Sequence, residues 1–164
     1  MQLELKNIKY SERASYETPN YVADLYVDGK KIAYVHNEGR GGETFVQVTK
    51  KEFVEQMQEV KKYCESLPKK HFEEYGGFDV DSTLCVVVDG LLEEWIINKE
   101  LKKYMNKGII YGTPESFGTI KFGNYKISDL LKDPNGISAI KKAIEGLKAR
   151  GEKVLNTNIP NDIM

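Results

Sequence analysis

Only two cysteines, Cys64 and Cys85, occur in the 164 residues, and neither belongs to a CxxC or CxxH spacing. That scarcity argues against a zinc site and against a disulfide framework, so a reducing compartment is the expectation. Histidine is equally scarce. His36 and His71 alone can supply imidazole, and no Gly-x-Ser-x-Gly accompanies them, whereas a serine or cysteine hydrolase needs a nucleophile, a base and an orienter. An HExxH helix, a Walker loop ending in Gly-Lys-Ser/Thr and a Rossmann unit are also missing, which leaves nucleotide hydrolysis unsupported. His36, Glu38, Asp79 and Asp81 offer metal-ligating atoms without the spacing of a known metal site, so no metal and no cofactor is expected. The longest apolar runs, such as Val86 to Val88, fall far short of the roughly 20 residues that span a bilayer. Neither charge dominates: 24 Lys+Arg stand against 25 Asp+Glu, a formal net of -1, so no global field draws the chain to nucleic acid or an anionic membrane. The first residues, Met-Gln-Leu-Glu-Leu-Lys, alternate like a strand and lack a charged n-region followed by an apolar h-region. A cytoplasmic location is the corresponding expectation.

What is present reads as one α+β domain over residues 1–164, long enough to bury a core without staples. Leu3, Leu5, Ile8 and Tyr10 give an imperfect alternation, a first strand with a bulge near Asn7. Tyr21 to Val27 and Lys31 to Val35 are joined by Asp28-Gly29, the strongest short-range hairpin signal, and Phe45 to Val48 continue the sheet. Thr49 is a candidate N-cap, with Glu52 completing a capping box, for a helix over Lys50 to Ser66 whose stripe is Phe53, Met57, Val60 and Cys64. Lys61, Lys62, Lys69, Lys70 and His71 cluster near its end and read as a solvated, dipole-complementing face. Lys69 to Phe78 is a polar, aromatic link, followed by a short extended Phe78-Asp79-Val80. A second helix is expected from Asp81 or Ser82 to about Asn106, with Gly90 marking a kink or a close approach and Trp95 on its apolar face. Gly108 ends it in C′ fashion. Ile109 to Gly112 and Thr119 to Phe122 form a second hairpin, Ser128 caps a single turn, and Ile137, Ile140, Ile144 and Leu147 mark a last helix ending at Gly151. Lys153 to Asn156 is a candidate strand, and a fraying tail follows from Asn158.

The stretch His36-Asn-Glu-Gly-Arg-Gly-Gly-Glu43 carries the functional argument. Gly39, Gly41 and Gly42 adopt positive φ at little cost, and such a loop can aim successive N–H groups at one anion. Arg40 lies among them as a forked cation suited to phosphate or carboxylate, in a chain whose only other arginines are Arg13 and Arg150. In an antiparallel meander the loop carrying Arg13 and the loop carrying Arg40 share one end of the sheet. Arg13 and Arg40 then pair with phosphate, Gly41 and Gly42 donate N–H groups, and Asn37 with Ser11 or Ser15 adds hydrogen bonds. Tyr16 is the candidate for stacking on a base. The bland alternative is a long hairpin connection in which glycine serves geometry alone and Arg40 is solvated.

Val27-Asp-Gly-Lys-Lys-Ile-Ala-Tyr-Val35, Asn37-Glu-Gly-Arg-Gly-Gly42 and Leu155-Asn-Thr-Asn158 together resemble a group of small uncharacterised proteins encoded by bacteria and their phages. The resemblance covers most of the chain and carries no established activity. It implies one idea: a phage counter-defence protein that sequesters a nucleotide signal, for which a Gly/Arg loop is suited. The leading expectation is therefore a non-catalytic binding protein for a small anionic ligand, a nucleotide or a cyclic nucleotide. The competing class is a protein-binding module that docks through a sheet edge or helix face. A third class is a small nucleotide-processing enzyme using His36 and Glu38 as acid and base. The expected partners are the small ligand and a homo-oligomer. Nucleic acid is disfavoured, because the tyrosines of the N-terminal sheet are interleaved with acids and lack an RNP-like signature.

Overall fold

The computed structural model describes residues 1–73 and 76–164, and the chain forms two compact units, Met1–Glu93 and Glu94–Met164. It is α+β. The first unit opens with a four-stranded antiparallel meander, β1 (Leu3–Ser11), β2 (Asn20–Val27), β3 (Lys30–Glu38) and β4 (Phe45–Val48), paired in sequence order. Asp28 and Gly29 turn at φ 47 and 82, positive at both positions as a two-residue primed turn demands. The pairing Val27 with Lys30 closes that turn directly. The bulge in β1 falls where the alternation falters: the register shifts between Lys6 and Lys9, and Asn7 sits at φ 54. Tyr21, Ala23, Leu25 and Val27 alternate inward along β2 and are all 4 % exposed or less. The opposite phase of the same strand holds Val22, which is exposed.

A 3-10 turn over Lys51–Phe53 leads into α1 (Val54–Glu65), whose stripe Phe53, Met57, Val60 and Cys64 is buried as its spacing requires. The capping box does not form. Thr49 is occupied elsewhere, its hydroxyl donating to the Ile32 carbonyl at 3.0 Å, so the chain enters α1 through the 3-10 turn without a side-chain cap. Next come β5 (Lys70–Phe72), which the sequence reading treats as link, and β6 (Phe78–Val80), paired antiparallel; residues 74 and 75 of that link lie outside the described residues. Part of the basic cluster is paired locally, with Lys69 on Asp81 at 2.9 Å, Lys70 on Glu93 at 3.0 Å and His71 Nδ1 on Asp79 at 2.7 Å. Helix α2 (Leu84–Met105) is capped neither by Asp81 nor by Ser82, which donates to the Pro68 carbonyl. Thr83 does the capping, its hydroxyl accepting from the Val86 amide. A Cβ at Gly90 would touch nothing within 4 Å, so no close approach explains that glycine.

The second unit takes the end of α2, a hairpin of β7 (Ile109–Gly112) and β8 (Phe117–Ile120), the short α3 (Ile127–Leu130) and α4 (Pro134–Ala149). The return strand begins two residues earlier than the pattern suggests. Gly108 does not adopt positive φ; it is required because a Cβ there would stand 2.2 Å from the Ile120 carbonyl oxygen. Ser128 caps nothing, since Lys126 holds the N-cap position of α3. Asp133 caps α4 by accepting from Gly136 N at 2.9 Å, with Pro134 in the first turn. Ile109, Ile127, Ile140, Ile144 and Leu147 form one buried cluster, joined by Ile159. The segment after residue 156 is therefore not a fraying tail: Ile159 is 4 % exposed and Asn158 donates to the Met105 carbonyl. The extended residues near Val154 meet Tyr111 through a single bridge. Among the described residues, no helix is long and apolar enough to cross a membrane.

Candidate functional site

The meander brings the two loops of interest to one end of the sheet and fastens them together. Gly39, at φ 81, accepts at its carbonyl from the amides of Tyr16 (2.9 Å) and Glu17 (3.1 Å). A Cβ at this position would lie 2.3 Å from the Ala14 carbonyl oxygen, so only glycine lets the loops approach. Asn37, 5 % exposed, is the hub. Its Oδ1 accepts from Gly39 N (2.9 Å) and the Thr18 hydroxyl (2.8 Å), and its Nδ2 donates to the Gly42 carbonyl (2.8 Å). Gly41 N donates to Thr18 Oγ1, Asn20 Nδ2 to the Glu38 carbonyl, and the Ser15 hydroxyl to the Ser11 carbonyl while accepting from Asn20 N.

This network changes what the loop can offer a ligand. Gly39 and Gly41 already have acceptors for their N–H groups, and the Glu17 carboxylate lies 2.2 Å from where a Gly41 Cβ would stand. An anion approaching Gly41 would therefore meet a carboxylate first. Asn37 and Ser15 are likewise engaged in loop-to-loop bonds. Arg13, Arg40 and Tyr16 stand exposed, and among the described residues neither arginine forms an ion pair.

A groove of about 320 Å³ opens beside this end, on the meander's solvent face. Ser11, His36 and Asn37 line it, together with Lys9, Tyr10, Asn20, Tyr21, Val22 and Glu38. Arg13, Ser15, Tyr16, Arg40, Gly41 and Gly42 do not. The groove follows one cross-strand row, because Lys9 pairs with Val22, Val22 with His36, and His36 with Phe45. Their side chains share a face, as directly opposed residues in a sheet must. The His36 and Phe45 rings are stacked, with centroids 5.1 Å apart and planes 13° from parallel. Phe45 is 61 % exposed and Val22 48 % exposed. Of the lining residues, Lys9, Asn20 and Val22 were not singled out by the sequence as candidates. One signal was available: Val22 is apolar on the phase of β2 that Tyr21, Ala23 and Leu25 leave to solvent.

Other reactive side chains are held in unreactive forms. Tyr21 donates towards Asp89 Oδ1 at 3.2 Å and meets the Thr44 hydroxyl at 3.1 Å, while Thr44 donates to the same Asp89 oxygen at 2.5 Å. Burial, with the neighbouring Asp89 charge, pushes the Tyr21 phenol far above its ordinary pKa. Burial also raises both thiols, Cys64 and Cys85, the latter further by Glu43 and Asp89, so both stay protonated and poorly nucleophilic at neutral pH. Asp24 is the opposite case. Its burial works against charge, yet hydrogen bonds from Lys31 and Asn7 outweigh it and hold the carboxyl below the ordinary range. Among the described residues no group of three His, Cys, Asp or Glu could hold a metal ion. No protein-family model, no curated protein and no solved structure matches this chain.

Proposed function

We propose that this protein is a non-catalytic binding protein for a small anionic ligand, and that the ligand lies in the sheet groove rather than on the glycine loop. The observation that carries this reading is the groove's lining, in which Lys9 of β1 and His36 of β3 flank the apolar Val22 of β2. Its volume of about 320 Å³ lies at the lower end of the usual range for small-molecule sites. Arg13 and Arg40, exposed at the adjoining loops, add positive potential without direct contact. Binding without turnover fits the hydroxyl chemistry, since Ser15 and Thr18 are committed to structural hydrogen bonds. Sequestration of a phosphate-bearing signal, as a phage counter-defence protein would perform, is the activity this implies.

A second reading has its own observation. Val22, Tyr34 and Phe45 are all about half exposed or more, and Tyr34 pairs with Asp24 just one step along the same face, so this surface also suits a protein partner. A thermal-shift panel of inorganic phosphate, sugar phosphates, mononucleotides and cyclic dinucleotides separates the two. A rise in melting temperature that Lys9→Ala removes and Arg150→Ala keeps supports the ligand site; recovery of the ligand unchanged supports binding without turnover. No rise with any compound overturns the ligand reading and leaves the protein-binding module.

A further inference from the structure

We infer that the groove takes a planar, amino-bearing heteroaromatic ring joined to a phosphate, as in a nucleoside monophosphate, with the ring inserted over Val22 between His36 and Lys9. This rests on the reading of the groove as the ligand site.

The row Lys9, Val22, His36, Phe45 is a ladder with one rung per strand. Strands are spaced by about 4.8 Å, which falls within the range of about 4.5–7 Å at which aromatic rings stack. His36 and Phe45 already realise that coincidence, at 5.1 Å. The stack runs across the strands, so the second face of the His36 ring looks towards β2. There the rung is only a valine, short and 48 % exposed. The groove is this gap in the ladder. A ring placed in it continues the stack from His36 and offers its opposite face to Lys9, one strand further, within the reach of about 6 Å for a cation over a ring. The lysine stem also lets its ammonium meet a phosphate at the groove's rim.

The next row towards the loops supplies the edge contacts. Ser11 pairs with Asn20 and Asn20 with Glu38, and all three line the groove. Glu38 has no ion pair among the described residues. Its carboxylate would repel a second anion there but accepts hydrogen bonds from an exocyclic amine or ring N–H. The amine is thereby assigned to Glu38, and the ring and phosphate to the row of His36, Val22 and Lys9.

The test is calorimetric titration of the full chain with AMP, GMP, CMP and an oligoadenylate, each against ribose 5-phosphate, repeated on Val22→Phe, Phe45→Ala and Glu38→Gln. Val22→Phe fills the gap with a residue strands favour, so the fold is kept, as a circular dichroism spectrum will check. The inference expects at least one nucleotide to bind about tenfold or more tighter than ribose 5-phosphate, the scale of one stacked base. It expects that advantage to vanish in Val22→Phe and to shrink in Phe45→Ala and Glu38→Gln. Ribose 5-phosphate binding as tightly as every nucleotide overturns the ring slot while leaving the groove as an anion site. Unchanged nucleotide affinity in folded Val22→Phe also overturns it. Binding of neither class of compound overturns the groove reading as well. Tight binding of an oligoadenylate with no binding of the monophosphates overturns it in favour of single-stranded nucleic acid.

Discussion

Asn7, at positive φ in the bulge of β1, donates its side-chain amide to Asp24 Oδ2 on β2 at 2.7 Å. Lys31 of β3 takes the other oxygen at 2.7 Å, so three strands converge on one carboxylate that is only 8 % exposed. The bulge is what turns Asn7 back to its neighbour strand.

That pairing sets an acid limit on stability. Asp24 titrates below its ordinary value in the folded chain, so its contribution is full above the unfolded value near about 3.9 and is lost as pH falls through the folded value. Thermal denaturation between pH 7 and pH 2 should show melting temperature declining at the acid end, with a weaker decline in Asp24→Asn. Asn7→Ala should cost about 1–3 kcal/mol at pH 7, because it removes a donor to a buried carboxylate and leaves an alanine at positive φ.

Tyr21 sets the alkaline limit. Its phenol stays protonated in the folded chain well beyond its ordinary value, whereas the unfolded chain releases the proton near about pH 10. Stability should therefore be intact below that pH and fall progressively above it. Tyr21→Phe should flatten the alkaline fall. A spectrophotometric titration at 295 nm checks the same point, with one tyrosine ionising only as the protein unfolds.

Three glycines should respond to alanine in different ways. Gly39→Ala forces a side chain against the Ala14 carbonyl at positive φ, and about 2 kcal/mol or more of stability should be lost. Gly42 has neither restriction, so Gly42→Ala should stay within about 0.5 kcal/mol. Gly90→Ala, inside α2 with open space around it, should stabilise by up to about 1 kcal/mol through helix propensity alone. Urea unfolding of the three variants under one set of conditions gives the comparison.

Asn156 should be among the costliest polar side chains to remove. It is 3 % exposed, its Oδ1 accepts from Ile110 N at 2.6 Å, and its Nδ2 donates to the carbonyls of Met105 and Gly108. Asn156→Ala removes the partner of the Ile110 amide and of the Gly108 carbonyl, while Asn158 still holds the Met105 carbonyl, and about 2–4 kcal/mol should be lost. Hydrogen exchange at the Ile110 amide reports the change at the site itself.

Local chemistry in the sequence determined the meander, the Asp28-Gly29 turn, the bulge at Asn7 and the buried stripes of α1 and α4. Each depends on residues within a few positions, where side-chain period and allowed φ leave few choices. Neighbouring antiparallel pairing was enough to bring the Arg13 and Arg40 loops to one end. Only the tertiary structure decided what those loops could do. The Gly41 amide is taken by Thr18, and the Gly39 carbonyl by Tyr16 and Glu17, all on a separate loop, and no local pattern reveals those bonds. Thr49, Asp81 and Ser82 tell the same story for helix caps, since a hydroxyl or carboxylate at a helix start goes to whichever partner the packed chain brings nearest. The groove is likewise a product of register: Lys9, Val22, His36 and Phe45 are separated in sequence and become one row only because three antiparallel pairings align them.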